Sequence, residues 1–166
     1  MPKSSITASS VPTSSVTPTI IQPTLNTVTY HYPLINGKGI QQLTVTGYGE
    51  NMTMTITGVG FGSAWQTMPY VGVAPNGQFI LTTTSNVGPW RAGCPGCTVP
   101  LKFQSWSSTK IVITGFGPGY GYTQVKTSQY QPANWTVIPG QYFTITGTVF
   151  PRAYTGRFPG ISIMPE

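Results

Sequence analysis

Acidic side chains are almost missing from this chain: Glu50 and Glu166 are the only two among 166 residues. Hydrolysis by paired carboxylates, acidic metal cages and a Ser/His/Asp triad all need carboxylates that the chain lacks, so no catalytic residue is expected. Histidine is scarcer still. His31 stands alone between Tyr30 and Tyr32, far in sequence from Glu50, and is expected to be a packed or exposed ring rather than a general base. No metal and no cofactor are expected. The eight lysines and arginines give a formal charge of +6, but they are scattered from Lys3 to Arg157 without a cluster that could track a phosphate backbone. Nucleic acid is therefore not an expected partner. Long apolar runs are absent as well: nothing approaches transmembrane length, and no apolar stretch of a secretory signal follows Met1, Pro2 and Lys3. No window keeps apolar residues at helical spacing for three turns, and the glycine-rich stretch Gly115 to Gly121 lacks the Gly-Lys-Ser/Thr of a phosphate loop.

Charged residues make up 6% of the chain, roughly a quarter of the average for globular proteins. Hydroxyls, amides and aromatic rings must then form the surface, which suits packing against copies of the same chain or against sugars. The length is ample for one core without metal or disulfide support. In NMTMTITGVGFG, Asn51 to Gly62, residues Met52, Met54 and Ile56 alternate with Thr53, Thr55 and Thr57, the pattern of a half-buried strand. Gly58, Gly60 and Gly62 around Phe61 then predict a tight corner with one aromatic ring returned to the core. QLTVTG (Gln42 to Gly47), KIVITG (Lys110 to Gly115) and YFTITG (Tyr142 to Gly147) repeat the strand chemistry at unequal intervals, so no solenoid is implied. The class is all-β, and so many strands are best satisfied by two packed antiparallel sheets.

Residues 1–30 read as an extended Ser/Thr/Pro-rich arm, and 31–166 as one domain that begins there or slightly earlier. The arm is either a linker or a donor strand. Val16, Ile20, Ile21, Leu25, Val28 and Tyr30 could line a segment laid along a neighbour's sheet edge. Further on, Tyr70 to Ala74 and Phe79 to Thr83 flank Pro75, Asn76 and Gly77, a hairpin signal because Asn-Gly supplies positive φ. A last strand is expected at Gly160 to Met164. Cys94 and Cys97 form a C-x-x-C that could be a redox pair, half of a zinc site or a local disulfide. The redox reading needs a helix after the motif, and the zinc reading lacks a second cysteine pair, with His31 a single candidate third ligand. A disulfide clasping a loop is favoured, and with it an oxidising or very hot setting.

The corner GVGFG (Gly58 to Gly62), followed downstream by SWSSTKIVI (Ser105 to Ile113), resembles the immunoglobulin-like IPT/TIG domains. Those open on a Gly-x-Gly-Phe-Gly corner and carry a Trp-Ser-x-Thr-x-Ile strand. The match spans about Thr53 to Thr114; the loop with Cys94 and Cys97 looks like an insertion, and the chain runs on well past one such domain. What the resemblance implies is an immunoglobulin-like β-sandwich used as a spacer or binder, with Trp106 in its core and no catalytic residues. Trp65 and Trp90, in loop sequence, are the better candidates for contact with a ligand or neighbour. Asn51 and Asn134 head glycosylation sequons. The function expected is a non-catalytic structural subunit of an extracellular or cell-surface filament, its partner being itself. A carbohydrate-binding or adhesive module, with polysaccharide as partner, is the alternative, and a viral coat subunit the third.

Overall fold

The computed structural model describes residues 19–21, 26–85, 88–97, 99–121 and 136–160. Among them the alternating segments form strands β1 (Thr19–Ile21), β2 (Thr27–His31), β3 (Gly39–Thr46), β4 (Thr53–Val59), β5 (Tyr70–Gly72), β6 (Ile80–Ser85), β7 (Gly88–Ala92), β8 (Leu101–Trp106), β9 (Lys110–Phe116), β10 (Tyr142–Thr146) and β11 (Tyr154–Arg157). One sheet has seven strands in the order β1-β2-β3-β4-β9-β8-β5, and the other has four, β11-β10-β6-β7. Every pairing within them is antiparallel. Side chains of both sheets meet in a single buried cluster, so the protein is an all-β sandwich of two antiparallel sheets.

Strand β4 lies at the middle of the larger sheet, between β3 and β9. Met54 and Ile56 are fully buried while Thr53, Thr55 and Thr57 remain half-buried on the opposite face, as a period of two requires. The threonines continue across the sheet: Thr27, Thr46 and Thr53 share one register row, and Thr29, Thr44 and Thr55 the next. Within those rows the Thr29 and Thr44 hydroxyls lie 3.1 Å apart and those of Thr27 and Thr46 3.2 Å apart, cross-strand pairs that stabilise a sheet without charge.

At the end of β4 the chain turns through the glycine corner. A Cβ on Gly58 would collide with the Gly39 carbonyl, so only glycine lets β3 and β4 approach there. Phe61 then drops into the core, with its ring edge-on to Phe150. The Phe61 N–H donates to the Ser108 carbonyl, and Trp106 Nε1 donates to the carbonyls of Phe61 and Gly62. The corner and the Trp106 strand, distant in sequence, thus form one contact.

Three sequence expectations require correction. The sheet begins before the expected boundary at residue 30: β2 pairs with β3 along its whole length, and Val28 and Tyr30 are core residues. The alternation of these two with Thr27 and Thr29 continues the β3 pattern, and that places them in the domain. Pro75 to Gly77 is no hairpin turn. Asn76 and Gly77 do adopt positive φ (59° and 68°), but within a short 3-10 turn that carries the chain from β5 in one sheet to β6 in the other. Ala74 and Phe79 on either side are both buried, and burying them between the sheets wins over pairing the flanking strands. Finally, β11 was not foreseen, and the strand expected at Gly160 to Met164 lies outside the described residues beyond Gly160.

Candidate functional site

Two open sheets have four edges, and an exposed edge is a row of backbone donors and acceptors that another chain can pair with. The edge strands are β1 and β5 of the larger sheet and β7 and β11 of the smaller.

The β11 edge is closed by tyrosines of the opposite sheet. Tyr32 Oη donates to the Thr155 carbonyl at 2.9 Å. Tyr30 Oη accepts the Arg157 N–H at 2.7 Å and donates to the Arg157 carbonyl at 3.2 Å. Tyr154 reaches back, its Oη accepting the Ile40 N–H at 3.2 Å, while its ring stands edge-on to Tyr32. Burial pushes the Tyr32 phenol far above the usual tyrosine range, with the neighbouring phenols Tyr30 and Tyr154 adding to the shift. Burial likewise raises Tyr30 and Tyr154, partly offset by their backbone hydrogen bonds to Arg157 and Ile40. All three stay protonated at neutral pH, so Tyr30 and Tyr32 keep the hydroxyl protons that the Arg157 and Thr155 carbonyls accept.

The β7 edge is covered by the cysteine loop. Cys94 and Cys97 form a disulfide, their Cα atoms 5.1 Å apart, and the Cys97 N–H donates to the Cys94 carbonyl. This tight turn returns the chain so that Val99 bridges Ala92 in parallel and donates its N–H to the Arg91 carbonyl at 3.3 Å. Cys94 is buried, and the clasp belongs to the sandwich wall.

The larger sheet ends differently. Its β1 edge is made by the N-terminal segment itself, which pairs as Thr19↔His31, Ile20↔Tyr30 and Ile21↔Thr29. Val16 and Leu25, expected beside them on the arm, lie outside the described residues. The opposite edge is β5, which among the described residues pairs only with β8. Val71 on β5 is 51% exposed.

The tryptophans expected to meet a ligand separate. Trp90 is 3% exposed and packs on Phe116 and Tyr120, so its face is closed to a sugar. It belongs to β7 and points inward because Thr83, its register partner, does too. Trp65 is half-buried, edge-on to Tyr70, Phe103 and Trp106. The indole N–H groups of both Trp65 and Trp90 are buried without an acceptor among the described residues. Among the described residues the most exposed aromatic ring is one that sequence reasoning passed over. Tyr142 is 56% exposed, with the Arg157 guanidinium 4.2 Å from its ring centroid.

Asn51 is exposed in the turn between β3 and β4, beside Glu50, and Asn134 lies outside the described residues. His31 is exposed on β2, in register with Gln42, at the opposite end of the β3–β4 hairpin from Glu50. Among the described residues no three His, Cys, Asp or Glu side chains converge, and no helix is long and apolar enough to cross a membrane. Comparison with family models, with curated proteins and with solved structures finds no match.

Proposed function

We propose that the protein is a non-catalytic structural subunit of an extracellular assembly, in which the N-terminal segment of one copy supplies a strand to a neighbour. The observation that carries this reading is β1. It is a three-residue strand at the extreme end of the larger sheet, drawn from the N-terminal segment and joined to the sheet by three residue pairs. A strand so lightly held gives up little when it leaves its own sheet, and it offers a neighbouring sheet the same backbone hydrogen bonds. The scarcity of charge favours close packing of many identical subunits, since like charges are not forced together. The disulfide and the exposed Asn51 sequon suit an oxidising, extracellular setting. The likeness of the glycine corner and the Trp106 strand to IPT/TIG domains supports an immunoglobulin-like module of a surface protein.

The test is deletion of residues 1–24. The truncated chain is expected to remain folded, because β2 and the core stay intact, and to be monomeric where the full chain forms polymers in negative-stain images. Normal polymers from the truncated chain would count against the reading. A second reading, a polysaccharide-binding or adhesive module, draws on the exposed Tyr142 ring and on Trp65; monomers of the full chain, retained in a gel containing glycan, would favour it.

A further inference from the structure

The geometry points to the outer edge of β5 as the acceptor for the N-terminal segment of a second copy, an assignment that rests on the assembly reading above. Elimination leads there first. A strand added at β11 would have to displace the hydroxyls of Tyr30 and Tyr32 from Thr155 and Arg157. One added at β7 would meet Val99 and the disulfide loop, and β7 itself contains Pro89, which has no N–H to give. The β2 edge is covered by the chain's own β1 until that segment leaves as a donor; it then offers a neighbour's segment the same three residue pairs, an exchange that would protect β2 on assembly and leave β5 unchanged. The sheet ends at β5, and among the described residues no strand lies beyond it.

The chemistry of β5 suits an incoming strand. Edges that proteins protect usually carry a lysine, a proline or an inward-pointing charge. β5 reads Tyr-Val-Gly and carries none of these. One of its faces is apolar, and on the other Val71 lies beside Lys102 of β8. Val71 is half-exposed, while Tyr70 on the apolar face continues into the partly buried Trp65 and Met68. A strand laid beside β5 would shield both faces at once, giving Trp65 the neighbour contact expected of it. The donor is compatible in charge: residues 1–21 hold no acidic side chain and one cation, Lys3, and are mostly serine, threonine, valine and isoleucine, with prolines at positions 2, 12 and 18. Donor and acceptor also lie at opposite ends of one sheet. The contact is therefore head-to-tail, leaves one donor and one acceptor free at every step, and propagates an open chain instead of closing a dimer.

The experiment uses the full-length chain. Val71→Cys is combined with Ile20→Cys in one variant and with Val16→Cys in another, the two donor positions allowing for register. Each single variant serves as control. Oxidation after assembly is expected to give a ladder of covalent oligomers on a non-reducing gel from at least one pair, and no more than dimers from any single variant. In the unmodified chain, amide exchange at Tyr70–Gly72 is expected to slow by about tenfold or more on assembly. Two outcomes overturn the assignment. If the unmodified chain assembles but neither pair gives a ladder and protection appears elsewhere, β5 is not the acceptor while the assembly reading stands. If the unmodified chain never assembles, both fall together.

Discussion

Tyr30 on β2 and Tyr32 just past its end are two residues apart on extended chain, so they point to the same face and reach the same edge of the opposite sheet. Their phenols, with that of Tyr154, do at the sheet boundary what a further strand would otherwise do. They satisfy backbone groups that would be costly to leave unpaired in a partly buried seam. The arrangement has a pH limit whose sign follows from linkage. All three have folded-state pKa values raised above the ordinary value near 10. Below the unfolded pKa, folded and unfolded chains are equally protonated and the full stability is present. Above it the unfolded chain loses protons that the folded one keeps, so stability falls as pH rises toward the folded values. Each tyrosine contributes up to about 1.4 kcal/mol per pH unit in that window. Melting temperature should be flat from pH 7 to 9 and drop steeply above pH 10, with a shallower drop in Tyr32→Phe. A flat profile to pH 11.5 would show that the phenols do not titrate with unfolding.

At the scale of elements, the β7 edge shows how a short covalent loop can do structural work beyond its own span. The disulfide closes only the turn from Cys94 to Cys97, but that turn sets Val99 along β7. Closing so small a loop stabilises by about 2 kcal/mol on chain-entropy grounds. Cys94→Ala/Cys97→Ala is expected to lose about that much in urea unfolding and to speed amide exchange across Arg91 to Val99. Exchange at Tyr70–Gly72 of the monomer should not change. Equal stability of the double variant and the parent, with and without reductant, would show that the turn is held by its hydrogen bonds alone.

For the whole molecule, the scarcity of carboxylates sets the response to acid. Acid unfolding comes mostly from protonating carboxylates that the fold keeps ionised, so that stability present above their unfolded pKa is lost as pH falls through the folded one. With Glu50 and Glu166 the only acidic side chains, little stability can be lost by that route. Net charge also rises little between neutral pH and pH 2, because few groups can take up a proton. The folded chain, and any polymer built on backbone pairing, should keep nearly its neutral-pH melting temperature at pH 2. Calorimetry at the two pH values checks this. A fall of more than about 15 °C, several kcal/mol for a domain of this size, would mean that some other interaction carries acid sensitivity.

Local pattern was enough to read the central strands and the faces they bury, but not β7, which reads as loop, or β11. The alternation of Met54 and Ile56 with threonines and the Cys94–Cys97 spacing are each decided within a few residues, and each appears in the fold as read, whereas the need for glycine at position 58 is set by the Gly39 carbonyl of β3. What the sequence left undecided is which elements meet. Asn76 and Gly77 have the positive φ that their identities favour, yet whether that turn closes a hairpin or changes sheets depends on where Ala74 and Phe79 find their core. Trp90 sits in loop-like sequence but is buried by Phe116 and Tyr120, over twenty residues away. The clasp of Tyr30 on Arg157 spans 127 residues, and no local signal distinguishes it from any other tyrosine pair on a strand. Composition and periodicity fix each strand's inner and outer face because those are near-neighbour properties. Only the tertiary structure could decide which edges are closed and which are left open, because closing an edge takes groups brought together from distant parts of the chain.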